Sequence, residues 1–300
     1  MKISLVTPCF NSAAYLEDTI RSVLSQEIPD LEYMVVDGGS TDGTADIIRK
    51  YADRLAWWVS ERDSGQVDAL NKGFARATGE IVGFINADDV LLPGALRAVH
   101  EAFARQPEVD LLYGEVEWID SEGRPTGSHA GKISDLGEAL DIYSVWWSQR
   151  QWVQPEVFYR RELKERVGVF DQRYNLAFDF DFWVRCFRAG ARVARIPEQL
   201  VQFRVHANQK SSAAAQAADE IRAVVRCHLD SGAAISPAHR RRLEARLSYD
   251  LYQLGIDSRP GFLRALLGNP GWLRAPEVRD RIRAACTRLL FHRKGLPSNR

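Results

Sequence analysis

Short apolar runs alternate with helical stretches through the first hundred residues. "KISLVT" (2–7), "LEYMVVD" (31–37), "LAWWVS" (55–60) and "EIVGFIN" (80–86) are nearly continuous apolar runs. Runs of that kind predict buried strands. Between them the apolar positions recur with helical spacing. Asn11 and Ser12 stand where a cap is needed, ahead of Leu16, Ile20, Val23 and Leu24, and predict a helix to about Gln26. "ADIIRKYA" (45–52) and "GQVDALNKGFARAT" (65–78) predict two more, and a fourth runs from Pro93 to about Arg105. This order predicts an α/β fold, a mostly parallel sheet flanked by helices.

The pattern changes after residue 107. "VDLLYGEVEWID" (109–120) alternates like a strand, "QPEVFYRR" (154–161) reads as another, and residues 135–150 read as helix or loop with Trp146 and Trp147. "NLAFDFDFWVRCFRAG" (175–190) has helical spacing and stops at Gly190, and residues 191–212 read as strand, turn and strand. Residues 213–300 are mostly helical in pattern and rich in Arg and Ala. The domain division predicted is 1–212 for the α/β part and 213–300 for a helical, basic extension.

Charge refines this picture. Lys+Arg and Asp+Glu each number 40, so the chain is formally neutral, which argues against a nucleic-acid partner. Residues 211–300 hold 16 basic and 8 acidic side chains, about +8, leaving about −8 on the rest. The tail segments "RRRLEARLSYDLYQL" and "GWLRAPEVRDRIRAACTRLLFHRK" fit either a solvated helical face or peripheral contact with an anionic membrane. Cys9, Cys186, Cys227 and Cys286 are far apart and form no CxxC pair. That spacing argues against a zinc site or a disulfide framework. Without a long apolar span, a soluble cytoplasmic protein is expected, at most peripheral on the inner membrane face.

The polar residues gather where a parallel sheet binds ligands, beyond the carboxyl ends of the strands. Pro8 to Asn11, Asp37 to Asp42, Glu61 to Asp63 and Asn86 to Asp89 all fall there. No GxGxxG follows the first strand and no GxxxxGK[ST] occurs. A pocket lined with carboxylates repels phosphates unless a divalent cation stands between them. Mg²⁺ or Mn²⁺ takes oxygen ligands and bridges carboxylate to diphosphate. In "FINADDVLLPG" a strand delivers Asp88 and Asp89 to the sheet edge. The alternative role for this pair is to cap the following helix.

On these residues the chain resembles the family 2 glycosyltransferases of the GT-A fold. "TPCFN" (7–11), "VVDGGSTDGT" (35–44), "SERDSGQVDALNKGF" (60–74) and "GEIVGFINADDVLLPGAL" (79–96) match that family's blocks in order and spacing. The similarity continues more weakly through "QPEVFYRR", "FDQRYNLAFDFDFWVR" and "FRVHANQKS", to about residue 210. It implies an inverting, metal-dependent enzyme that moves a sugar from a UDP-sugar to a hydroxyl of a glycan or lipid-linked glycan. Surface polysaccharide or O-antigen synthesis is the setting implied.

The resemblance also implies roles. Thr7, Pro8, Phe10, Asn11, Asp37, Asp68, Lys72, Asn86, Ala87 and Asp88 fall at nucleotide-binding positions, with Asp37 facing the N3–H of uracil. Asp88 and His206 fall at metal-binding positions, for Mn²⁺ or Mg²⁺. Asp179 falls at the catalytic base, and Trp152, Gln154 and Asp181 at the acceptor side. Arg204 and Lys210 are expected to face the diphosphate. Asp68 and Lys72, one helical turn apart, equally fit a plain surface pair. Two positions depart from the family pattern: Asn86 replaces the first acid of its DxD element, and Phe178 replaces a Glu before the base. Those departures keep open a non-catalytic nucleotide-sugar-binding module. A nucleotidyltransferase, the other alternative, lacks its phosphate loop here.

Overall fold

The computed structural model describes residues 1–146, 148–210, 214–253 and 266–283. It divides into two compact units, Met1–His228 and Leu229–Arg300. The strands of the first unit are β1 (Ile3–Cys9), β2 (Leu31–Asp37), β3 (Trp57–Ser60), β4 (Ile81–Phe84), β5 (Val90–Leu91), β6 (Leu111–Ile119), β7 (Pro125–His129), β8 (Val157–Arg160) and β9 (Val193–Arg204). Its helices are α1 (Leu16–Leu24), α2 (Thr44–Lys50), α3 (Gln66–Phe74), α4 (Ala95–Arg105), α5 (Leu136–Leu140), α6 (Arg161–Val167), α7 (Phe178–Arg188) and α8 (Ala214–Asp230). The predicted boundary at residue 212 precedes α8, whereas the first unit takes in most of that helix.

One sheet runs in the order β3-β2-β1-β4-β8-β6-β9-β5, with β7 paired to β6. Pairing among β1 to β4 is parallel, as the apolar runs predicted. Beyond β4 it becomes mixed: β8 is antiparallel to both β4 and β6, while β6 and β9 are parallel. Alternate residues of a strand face opposite sides of the sheet. Ile3 and Leu5 of β1 pack into a core with Leu16, Ile20, Leu96, Val99 and Phe103 of α1 and α4. Val6, on the other face, lies against α3. A Cβ added at Gly73 of α3 would come within 2.5 Å of the Val6 side chain, so glycine sets how closely α3 approaches the sheet. Helices therefore cover both faces.

Three local readings change. Helix α1 starts at Leu16, not at Asn11. Asn11 instead adopts a left-handed φ of 48°, and the Ser12 carbonyl accepts the Leu16 N–H at 3.0 Å. The two-residue strand β5 was too short to show as a periodic run. Residues 193–204 form a single strand rather than strand, turn and strand. Pro197 lies exposed where the β6–β9 register shifts around Glu115, so a bulge absorbs the residue that suggested a turn.

In the second unit, α9 (Pro237–Gln253) buries Leu243, Ala245, Leu247 and Tyr249 and exposes Arg241, Arg242 and Glu244. Tyr249 packs with Trp272, Ala275 and Val278. Arg246 of the basic stretch is buried and paired with Glu277. The end of the second basic segment, residues 284–294, lies outside the described residues. No helix among the described residues is long and apolar enough to cross a membrane.

Candidate active site

The end of β4 and the short strand β5 enclose "NADD". Burial forces its polar groups to find partners. Asp89 is buried, and its carboxylate accepts the Arg204 backbone N–H at 3.0 Å and the Asn86 side-chain N–H at 3.0 Å. Burial, with the charge of Asp88 beside it, pushes the Asp89 carboxyl well above the usual range. Asn86 uses its remaining oxygen to accept from Gln66 Nε2 at 2.9 Å. An aspartate at 86 would set a second carboxylate against Asp89 and against no donor that Asn86 now supplies.

Asp88 is thereby left with its carboxylate pointing away from this lock. Its Oδ2 lies 3.0 Å from His206 Nε2, and the two side chains are 28% and 12% exposed. Carboxylate and imidazole converge across 118 residues of sequence. The pair suits a divalent cation in donor chemistry. Among the described residues no cluster of three or more such side chains forms. Such an ion would therefore draw its remaining ligands from a bound diphosphate and water.

Arg204 does not face the diphosphate. It is buried, donates to the Asp88 carbonyl at 3.0 Å, and lies 4.6 Å over the Tyr15 ring. Its work is to fasten the NADD turn to β9.

The second carboxylate, Asp179, lies in the first turn of α7 and accepts the Phe180 N–H at 2.7 Å. Phe178 packs 6.0 Å from Phe84 at the end of β4 and 5.5 Å from Phe170. The residue that replaces the family's Glu therefore joins α7 to the end of β4 through aromatic contact. Desolvation in this setting pushes Asp179 up to about 6, with Lys210 pulling against it. Lys210 Nζ donates to Gln66 Oε1 at 2.9 Å and sits 5.5 Å over the Phe178 ring. A row of polar groups thus runs from Asp89 through Asn86, Gln66 and Lys210 toward Asp179. Gln66 went unnoticed in the sequence, although it lies inside "SGQVDALNKG".

Several expected contacts are corrected. Asp37 is fully buried, and its oxygens accept from the Ser40 N–H (3.1 Å), the Ser40 hydroxyl and the Ser60 hydroxyl (2.6 Å). It braces the "DGGSTDG" loop and has no face left for a base. Thr7 is also buried, hydrogen-bonded to the Tyr33 hydroxyl at 2.9 Å. Pro8 and Ala87 are buried in the backbone around the site, whereas Phe10 is 63% exposed and Asn11 holds the Thr41 N–H at 3.0 Å. Asp68 accepts the Ser64 N–H at 3.1 Å and pairs with Lys72 at 3.4 Å, while Lys72 also reaches Glu61 at 2.9 Å. These two are a surface ion-pair group.

On the acceptor side, Trp152 is a core residue, 5.5 Å from Trp183 and 5.6 Å from Phe187. Asp181 is buried between Arg185 at 2.8 Å and His228 at 3.0 Å, so it holds helices together. Gln154 is buried and donates to the Phe84 carbonyl at 3.1 Å. Trp146 packs 4.7 Å from Phe180, and Trp147 lies outside the described residues. Helical and strand spacing cannot tell an aromatic core from a sugar-binding wall, and here the core took these residues.

Residues 4–171 match the glycosyl transferase family 2 description. The chain belongs to that family. It is a glycosyltransferase with the GT-A fold. A PGL/p-HBAD biosynthesis glycosyltransferase of Mycobacterium bovis BCG is 35% identical over 196 residues, 64% of this chain and 72% of that protein. The O-antigen biosynthesis protein RfbC of Myxococcus xanthus is 32% identical over 220 residues, 71% of this chain but 16% of that protein. The solved structure of S. aureus TarS 1-349 in complex with UDP-GlcNAc superposes with TM-score 0.64 and 20% identity, covering 91% of this chain and 78% of that one. A mannosyltransferase from Pyrobaculum calidifontis, in complex with GDP-Man and Mn2+, gives TM-score 0.60 and 21% identity, covering 91% and 80%. At these identities the two structures establish the fold.

Proposed function

We propose that this glycosyltransferase moves a sugar from a UDP-sugar to a hydroxyl of a glycan or lipid-linked glycan, with inversion and with a divalent cation. The observation that carries the reading is the pairing of two unlike ends on one polar row. Beside Asp89 at one end, Asp88 meets His206; at the other end Asp179 is raised to about 6 in a desolvated turn. A cation held by Asp88 and His206 would neutralise charge on the departing diphosphate. Asp179 accepts the proton of the acceptor hydroxyl as that oxygen bonds to the anomeric carbon. The bond from that carbon to UDP breaks and its electron pair leaves with UDP. A carboxylate with its pKa near 6 is ionised at neutral pH and still basic enough to serve. Relatives named for PGL/p-HBAD biosynthesis and for O-antigen biosynthesis support a surface glycan as the acceptor.

The uracil N3–H calls for an acceptor, and Asp37 is spent. Asp63 is our replacement. A Cβ at Gly38 would sit 2.9 Å from both Asp63 oxygens, so its carboxylate lies over the bare backbone there. Among the described residues one of those oxygens is engaged, by the Gly65 N–H at 2.8 Å. The exposed ring of Phe10 follows β1, whose Cys9 carbonyl accepts the Gly38 N–H at 2.9 Å.

The test is UDP release from a panel of UDP- and GDP-sugars, with Mn²⁺ or EDTA and a cell-extract glycan as acceptor. Metal-dependent release from a UDP-sugar, lost in Asp179→Asn, is expected. Release from GDP-sugars alone, or release untouched by EDTA, would overturn the donor or the metal assignment respectively.

A further inference from the structure

Helix α7 begins without a cap of its own. Its N-cap residue is Ala177, which has no side-chain acceptor for the first backbone N–H groups. Such groups, left without partners near a buried site, cost stability and order. Two N–H groups at the entry to this turn are met from another helix. Glu220 of α8 places Oε2 2.6 Å from the Leu176 nitrogen and 3.0 Å from the Ala177 nitrogen. Both N–H groups donate to the same carboxylate oxygen. A charged acceptor makes these bonds stronger than neutral ones, and negative charge suits a helix N-terminus. Asp179 follows Ala177 by two residues and takes its orientation from the same turn, through the Phe180 N–H.

Glu220 is itself held in place. Two turns further along α8, His228 Nε2 lies 3.0 Å from Asp181 Oδ1, in α7. The two helices are therefore tied at two points, one just ahead of the base and one just behind it.

We propose that Glu220 is a positioning residue for Asp179, its carboxylate capping α7 from α8 so that the base is held in register with the donor site. This rests on Asp179 being the base. It goes beyond the family match, which ends at residue 171.

The experiment uses the full chain and three substitutions, Glu220→Ala, Glu220→Gln and Glu220→Asp, beside Asp179→Asn. Amide hydrogen exchange at Leu176 and Ala177 needs no acceptor. It should show protection in the wild type and in Glu220→Gln, whose amide oxygen still accepts, and loss of protection in Glu220→Ala. In the UDP-release assay Glu220→Ala should lower kcat about 10- to 100-fold, the scale of a small misplacement of a reacting group, with KM for the donor nearly unchanged. Glu220→Gln should restore most of kcat. Should Glu220→Ala fail to fold, Glu220→Asp decides, because its shorter arm keeps the charge but loses the cap: kcat should fall there and not in Glu220→Gln. Wild-type protection at Leu176 and Ala177 in Glu220→Ala, or full kcat in both Glu220→Ala and Glu220→Asp, would overturn the proposal. A fully active Asp179→Asn would instead overturn the assignment of the base, a separate outcome.

Discussion

Asp88, beside Asp89 at one end of the polar row, and Asp179, at the other end, are held by the fold in opposite ways. Asp88 is left partly open to solvent because its neighbours Asn86 and Asp89 take up the structural hydrogen bonds. Its carboxylate contacts the His206 imidazole and stays open on its other side to the cation proposed above. Asp179 is set among aromatic rings, in a turn whose backbone is capped from another helix. Its environment raises its proton affinity instead. The difference teaches that one fold gives the same side chain two different environments by controlling desolvation and local partners, which is what the proposed metal and base roles require.

The largest expected effect comes from removing the basic end. Asp179→Asn should lower kcat by about 10³-fold, within the range for general-base catalysis, while UDP binding persists. The same substitution should raise stability at neutral pH. A folded pKa of about 6 against an ordinary 3.8 means that the folded state holds its proton more tightly. The resulting stability is full below about pH 4 and is lost as pH rises through 6, by up to about 3 kcal/mol. Thermal unfolding of wild type and variant at pH 4 and pH 7 checks the sign: the gap should open only at the higher pH.

Next in size is an attempt to make the metal end conform to the family pattern. Asn86→Asp should destabilise the protein by about 1–3 kcal/mol, because it removes the donor to Asp89 and adds a like charge. Denaturant unfolding measures it, and an unchanged midpoint would show that the NADD lock is not structural. The smallest effect is a shift in pH dependence. The acid limb of kcat should fall with an apparent pKa near 6, and Lys210→Met should move that limb upward, since Lys210 opposes the rise in Asp179.

The halves of the site differed as much in legibility as in chemistry. The donor half follows the apolar strands, and its polar clusters appear at strand ends in order, so Asp88 could be placed before any coordinates. His206 needed the family likeness, because 118 residues separate it from its partner. The acceptor half could not be read in the same way. Trp152 and Asp181 look like ligand-binding residues in sequence, yet an indole in a core and an indole under a sugar have the same spacing. Asp37 misled for a related reason: a carboxylate in a glycine-rich turn satisfies either a base or its own loop, and Ser40 and Ser60 claim it. Glu220 carries no motif, since capping another helix depends only on tertiary approach.

The central claim is that the two ends act separately, and calorimetric titration of UDP tests it most directly. Wild type, Asp88→Ala and Asp179→Asn would each be titrated with UDP in Mn²⁺ and again in EDTA. The account predicts Mn²⁺-dependent binding in wild type and in Asp179→Asn, and loss of that dependence in Asp88→Ala. Binding that depends equally on Mn²⁺ in all three proteins would contradict it.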